Sequence, residues 1–200
     1  MNNTAPTVTF LENLRSATAQ SHISLEKLPV SESIINSEVT KEQYTLYLSL
    51  MQDVVKDAEE NIFPLLKNVV TDLQERSKNH LLINDLTVLG YHKKEEIKPL
   101  SSALNNHSVA FALGIMYVIE GSSLGGRVIL KNITDALGYT PENGASYFGG
   151  YGNKTGSHWK NFLAALTLFE AENNCAEDII AGADFAFNAI NLHFTKNTSK

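Results

Sequence analysis

Cysteine occurs once in these 200 residues, at Cys175, so no internal disulfide can form. Such usage fits a reducing compartment and gives the expectation of a cytoplasmic protein. No Cys-x-x-Cys pair exists, which removes the usual zinc and thiol-redox sites. Neither Glu-x-x-His nor His-x-x-x-His occurs, which removes the di-iron bundle and the helical zinc-protease site. Positive charge is scarce: 16 Lys and Arg stand against 22 Asp and Glu, net −6, mixed along the whole chain. Nucleic acid and anionic membranes attract a concentrated basic surface, so neither is expected as a partner. Long apolar runs are missing too. The longest, Val109 to Ile119 between Ser108 and Glu120, is too short to span a bilayer and reads as a buried core helix. Residues 1–9 have no basic start and no apolar signal core.

Alternating period-two segments are also lacking between turn signals, which predicts an all-α fold with little or no sheet. The chain is long enough for one domain with a real core. We expect a single helical domain over 10–195, with flexible segments at 1–9 and 196–200. In Phe10–Leu28, apolar positions Leu11, Leu14, Leu25 and Leu28, with the Thr18 methyl, fall on one stripe that Pro29 should close. Thr40 to Gln43 reads as a capping box opening a helix toward Leu66, bent near Pro64. A short helix around Leu81–Leu89 should stop at Gly90. Val109–Gly138 reads as one long helical stretch interrupted by Gly121, Gly125 and Gly126, with Gly138 as its stop. A glycine-rich loop covers 139–152. Helices follow over about 156–171 and 176–193, with Asn174 as a candidate cap for the second.

The glycine cluster is the first chemical signal. Each glycine inside a helix costs about 1 kcal/mol relative to alanine. Three within six residues of an apolar helix need a reason. Two are available: close helix packing or a kink, and backbone that must approach a large flat ligand. Neither a phosphate loop nor a nucleophile elbow fits, because helix precedes the motif and no Lys-Ser/Thr follows. His22 is the second signal, with Glu26 one turn later. A carboxylate on one ring nitrogen leaves the other for a metal, while an ordinary surface i,i+4 contact has the same spacing. Arg15, two turns before His22, and Lys160, beside Trp159, could pair with a ligand's carboxylates or remain solvated. Phe185, Phe187, Ile190 and Phe194 read as core, part of which could wall a pocket. His80, His92, His107, His158 and His193 lack metal-like spacing and read as surface or satisfied core residues. Glu120 is read either as buried near the break or as solvated or cap-bonded, and Cys175 as a helix-start residue.

Together these features resemble the haem oxygenase family. Leu14 to Glu26, LRSATAQSHISLE, is similar to the family's opening helix. Tyr117 to Ile129, YVIEGSSLGGRVI, is similar to its distal helix in wording closest to the bacterial branch associated with phytochromes. Tyr147 to Gly152, YFGGYG, followed by Trp159 to Phe162, WKNF, resembles that branch too. The resemblance implies that His22 ligates haem iron from the proximal side and that Glu26 steadies its ring. Gly121, Gly125 and Gly126 would let the distal backbone lie over the haem, and Arg15 and Lys160 would face its propionates. The implied reaction opens haem, at once substrate and cofactor, to biliverdin, iron and carbon monoxide with O2. The chain has no dinucleotide fingerprint and no cluster cysteines, so electrons would come from a separate ferredoxin or flavin reductase. A bacteriophytochrome is an implied recipient of biliverdin. Two departures stand out: Ser122 occupies a position where many members carry an aspartate that organises water, and Ala164 one where some carry a base. A hydroxyl orders water but is no ionised acid or base. A non-catalytic haem carrier or sensor is the alternative, and a helical interaction module without haem is a third reading.

Overall fold

The computed structural model describes residues 9–104 and 107–198. Residues 1–8 and 199–200, which fall in the segments expected to be flexible, lie outside the described residues. Helix α1 (Phe10–Glu26) starts at a capping box in which Thr9 and Glu12 satisfy each other's ends. Pro29 does not close it; it opens a separate short helix, α2 (Pro29–Ser33). Proline's missing N–H costs nothing in a first turn, which is why it starts a helix as readily as it stops one. The second capping box is formed as expected, Thr40 with Gln43, at the head of α3 (Lys41–Asp57). A π-turn, Ala58–Ile62, then leads into α4 (Phe63–Leu66). The irregularity therefore precedes Pro64, which sits harmlessly in the first turn of α4. Helix α5 is Asn79–Val88, and Gly90 beyond it takes φ +77°.

The centre of the fold is α6 (Val109–Gly121), buried nearly all round by Ala112, Leu113, Ile115, Met116 and Val118. A 3₁₀ turn, Ser122–Leu124, separates it from α7 (Gly126–Leu137), and the two helices are bent by 43°. Gly138 ends α7 in the left-handed region as expected, at φ +76°. Helices α8 (Ser146–Gly149), α9 (Thr155–Asn173) and α10 (Ala176–Thr198) complete the chain, so α10 runs into the segment expected to be tail. Asn174 caps the end of α9 in a left-handed conformation, φ 51°, instead of starting α10. Among the described residues the only β pairing is isolated bridging around Thr140 and Asn143. No single described helix is long and apolar enough to cross a membrane.

Helix α10 crosses α6 backbone to backbone. A Cβ on Gly114 would lie 2.0 Å from the Ile179 carbonyl oxygen, and one on Gly182 would lie 2.0 Å from that of Phe111. Backbone on both sides cannot step aside, so Gly114→Ala or Gly182→Ala should each cost about 3 kcal/mol. Urea unfolding of either variant checks this, and an unchanged midpoint would contradict the crossing.

The C-terminal half of α10 is tied to α3. His193 Nε2 lies 3.1 Å from Asp53 Oδ2, Lys93 Nζ donates to the same oxygen, and the Ile97 amide donates to Oδ1. Burial alone would raise the Asp53 carboxyl, but His193 and Lys93 beside it outweigh that and hold the group below its ordinary value. A carboxyl lowered by folding contributes stability above its unfolded pKa of about 3.9 and loses it as pH falls through the folded value. Asp53→Asn should therefore cost about 3 kcal/mol at pH 7, with the gap to wild type closing below about pH 4. Denaturant unfolding at several pH values measures it; a gap that is constant with pH would refute the assignment.

Candidate functional site

Helix α1 packs along α10 and makes no comparable packing with α6 or α7, and the interval between α1 and the broken α6–α7 pair is the candidate groove. Leu14 and Thr18 face the core, and Thr18 returns its hydroxyl to the Leu14 carbonyl. His22 stands one turn further on with its side chain half exposed. Its Nδ1 lies 3.4 Å from Glu26 Oε2. Its ring rests edge-on against Phe187 of α10, centroids 5.6 Å apart and planes at 88°. Glu26 thus takes Nδ1, and Nε2 is the nitrogen left for another partner. A contact that sequence reasoning missed sets the roll of α1: Ser21 Oγ donates to Asp184 Oδ1 at 2.6 Å. Nothing near Ser21 in the chain points to a partner 163 residues away.

Across the groove, the three glycines of the break do not share one role. A Cβ on Gly121 would meet only the Trp159 ring, at 3.7 Å, and one on Gly125 only the Ser122 carbonyl, at 3.9 Å. Both are ordinary contacts, so packing does not require glycine at either place. Gly126 differs, because a Cβ there would come within 3.0 Å of the Phe148 carbonyl oxygen. The carbonyl stays in place because Asp85 accepts hydrogen bonds from the Ser146 and Tyr147 amides at the head of α8. Packing thus explains Gly126, and close approach of something outside the chain is left to explain Gly121 and Gly125.

Helical spacing puts Tyr117 and Gly121 on one face of α6, and Arg15 reaches that face. Burial raises the Tyr117 phenol, and the Arg15 charge and hydrogen bond oppose the rise. Tyr117 packs on Trp159 at 5.5 Å between ring centroids. One end of the groove therefore gathers Arg15, Tyr117, Trp159 and Gly121, with exposed Lys160 next along α9. His22 lies two turns from Arg15 on the same side of α1. Ser122 donates its hydroxyl hydrogen to the Ile119 carbonyl at 2.7 Å. Its side chain also opposes the rise that burial imposes on the Tyr147 phenol. Ala164 lines a separate cleft of about 600 Å³ with Asp72, Arg76, His158 and Asn161, which contains none of the predicted site residues.

Behind the break lies a buried charge cluster of which sequence reasoning singled out only Glu120. That residue is 2% exposed, and it accepts hydrogen bonds from Arg76 Nη1 and from the Tyr151 hydroxyl. Arg76 forks onto Asp72 through Nε and Nη2, at 2.7 and 2.8 Å. Burial would raise the Asp72 carboxyl, but Arg76 holds it below the ordinary range. Lys78 Nζ donates to Ser123 Oγ and lies 3.9 Å from Glu120 Oε1, and burial lowers its pKa. The i,i+4 spacing of Asp72 and Arg76 was the available signal, yet it is shared by many surface pairs.

The fold is all-α, with a half-exposed His22 on α1, an Arg15–Tyr117 contact between α1 and α6, and a helix break at whose first two glycines no protein contact requires glycine. The family profile for heme oxygenase matches residues 8–195. The chain therefore belongs to the heme oxygenase family and is an enzyme that degrades haem. Solved structures agree on the fold. The heme oxygenase of Neisseria meningitidis, solved with NO and CO bound, superposes with a TM-score of 0.77 at 24% identity, covering 96% of this chain and 92% of that one. Heme oxygenase from Leptospira interrogans gives 0.74 at 20% identity, covering 94% and 98%. Heme oxygenase-1 of the cyanobacterium Synechocystis, solved in complex with haem, gives 0.73 at 17%, covering 94% and 92%. No curated protein sequence matches the chain.

Proposed function

We propose that the enzyme opens the haem ring to biliverdin, ferrous iron and carbon monoxide in the groove between α1 and the α6–α7 break, consuming O2 and electrons from a separate donor. The carrying observation is the pair Gly121 and Gly125, whose bare backbone no protein contact requires. On this reading His22 binds the iron through Nε2, with Glu26 at Nδ1 fixing the tautomer. Phe187 holds the ring upright, and Ser21 with Asp184 sets the roll of the helix that carries it. Gly121 and Gly125 present backbone to the opposite face, while Gly126 locks the break onto α8. Arg15 and Lys160 pair with the propionates at the end near Trp159. When bound, haem supplies the oxygen chemistry through its own iron. Ser122, its hydrogen committed to Ile119, still offers oxygen lone pairs to a water.

The donor is a ferredoxin or a flavin reductase, as the chain's lack of cluster cysteines and of a dinucleotide fingerprint supports. We further propose a cytoplasmic setting, supported by the single Cys175, and a bacteriophytochrome as recipient of the biliverdin, supported by the wording of Tyr117 to Ile129. The test is a haem titration followed by reductant in air. A Soret band that decays into bilin absorption, with carbon monoxide released, is the expected result. A band that persists under reductant would instead mark a haem carrier.

A further inference from the structure

Glycine on the groove side creates a mechanical problem. The turn at 121–126 has the freedom of three glycines, yet it must hold one position against a bound ring. Of the turn's own side chains, Ser122 bonds back to Ile119 and reaches the Tyr147 phenol, and Leu124 is half exposed. What fixes it comes from behind. Glu120, the residue before Gly121, is clasped by Arg76 and Tyr151. Ser123, at the middle of the 3₁₀ turn, receives Lys78 Nζ at 2.5 Å. Lys78 is 94% buried by its relative exposure of 6%, and its ammonium lies 4.1 Å from the centroid of the Tyr151 ring.

Lys78 is itself anchored. Glu59, from the π-turn after α3, accepts from the Lys78 and Asn79 amides and from the Ser77 hydroxyl. Two cations, Arg76 and Lys78, face the carboxylates Asp72 and Glu120, with Glu59 also acting on Lys78. A buried lysine is costly unless paired, and its hydrogen bond to one hydroxyl of the turn gives that cost a positional use. Among the described residues Lys78 makes no hydrogen bond or ion pair with His22, Arg15 or Gly125, and its hydrogen bond to Ser123 is its link to the turn.

We propose that Lys78 is a positioning residue for haem opening, holding Ser123 and Glu120 so that the Gly121–Gly125 backbone stays in one place and one edge of the ring is attacked. This rests on the haem-opening reading above. The test compares wild type with Lys78→Met, Ser123→Ala and Ser123→Thr. Each is titrated with haem, its carbon monoxide complex is examined by infrared spectroscopy, and the bilin isomers formed with a reductant are separated. Wild type should give one narrow C–O band and one bilin isomer. Lys78→Met and Ser123→Ala should keep haem affinity within about threefold, broaden or split the band, yield mixed isomers, and slow turnover about tenfold. Ser123→Thr, which keeps the hydroxyl, should restore the single isomer.

Wild-type band, isomer and rate in both Lys78→Met and Ser123→Ala would overturn the proposal. If Lys78→Met does not fold, Ser123→Ala decides alone, because it removes only the hydroxyl of a half-buried residue. If wild type binds haem without forming a bilin, the haem-opening reading fails, and an unaltered C–O band in the variants then overturns the positioning role separately. If wild type takes no haem, both fall.

Discussion

Replacing Gly125 with alanine should make the protein more stable and the enzyme slower. The backbone at Gly125 is ordinary right-handed helix, φ −76° and ψ −14°, which alanine adopts without strain. The added methyl meets nothing closer than the Ser122 carbonyl at 3.9 Å. Loss of glycine's unfolded-state freedom should then stabilise the fold by about 0.5–1 kcal/mol. On the haem-opening reading, the same methyl would stand against the face of the haem. A displacement of that size should cut turnover about tenfold or more. Gly121→Ala should behave alike, since its backbone is also right-handed and only Trp159 is near, at 3.7 Å. Gly126→Ala should instead lose stability, because its methyl meets the Phe148 carbonyl at 3.0 Å. Thermal unfolding and bilin formation measured on the three variants separate the cases. If Gly125→Ala gains stability and keeps full turnover, no ligand uses that backbone.

His22→Ala should leave the fold intact and remove most of the activity. The side chain is 54% exposed and its ring contact is an edge on Phe187, so little packing is lost. Losing the proximal nitrogen should shift the Soret band and lower turnover about a hundredfold, with added imidazole restoring part of both. Glu26→Gln removes only the charge that steadies Nδ1 and should cost about tenfold. An unshifted haem spectrum in His22→Ala would assign the iron to another ligand.

Local signals in the sequence carried the elements well. Thr40 with Gln43, the apolar run of α6, and Gly138 each act through neighbours within one turn, and each does what its spacing implies. Pro29 and Asn174 depart from the expected roles for a related reason: proline starts or stops a helix, and asparagine caps either end, so the residue type alone does not choose. His22 with Glu26, and Gly121 with Gly125, stand out in the sequence because they are local pairs too. What stayed hidden is long-range. Gly114 and Gly182 show their purpose only where α6 and α10 cross. Ser21 meets Asp184, and Arg76 meets Glu120, only after folding brings distant segments together. Gly126 sat inside the glycine motif but belongs to the packing of α8, a distinction that spacing cannot express.

A crystal structure of the enzyme with haem bound is the most direct test of the account. It should show the iron bonded to His22 Nε2, the ring lying against the backbone of Gly121 and Gly125, and the propionates toward Arg15 and Lys160. Haem held by any other histidine, or seated in the cleft lined by Asp72 and His158, would contradict it.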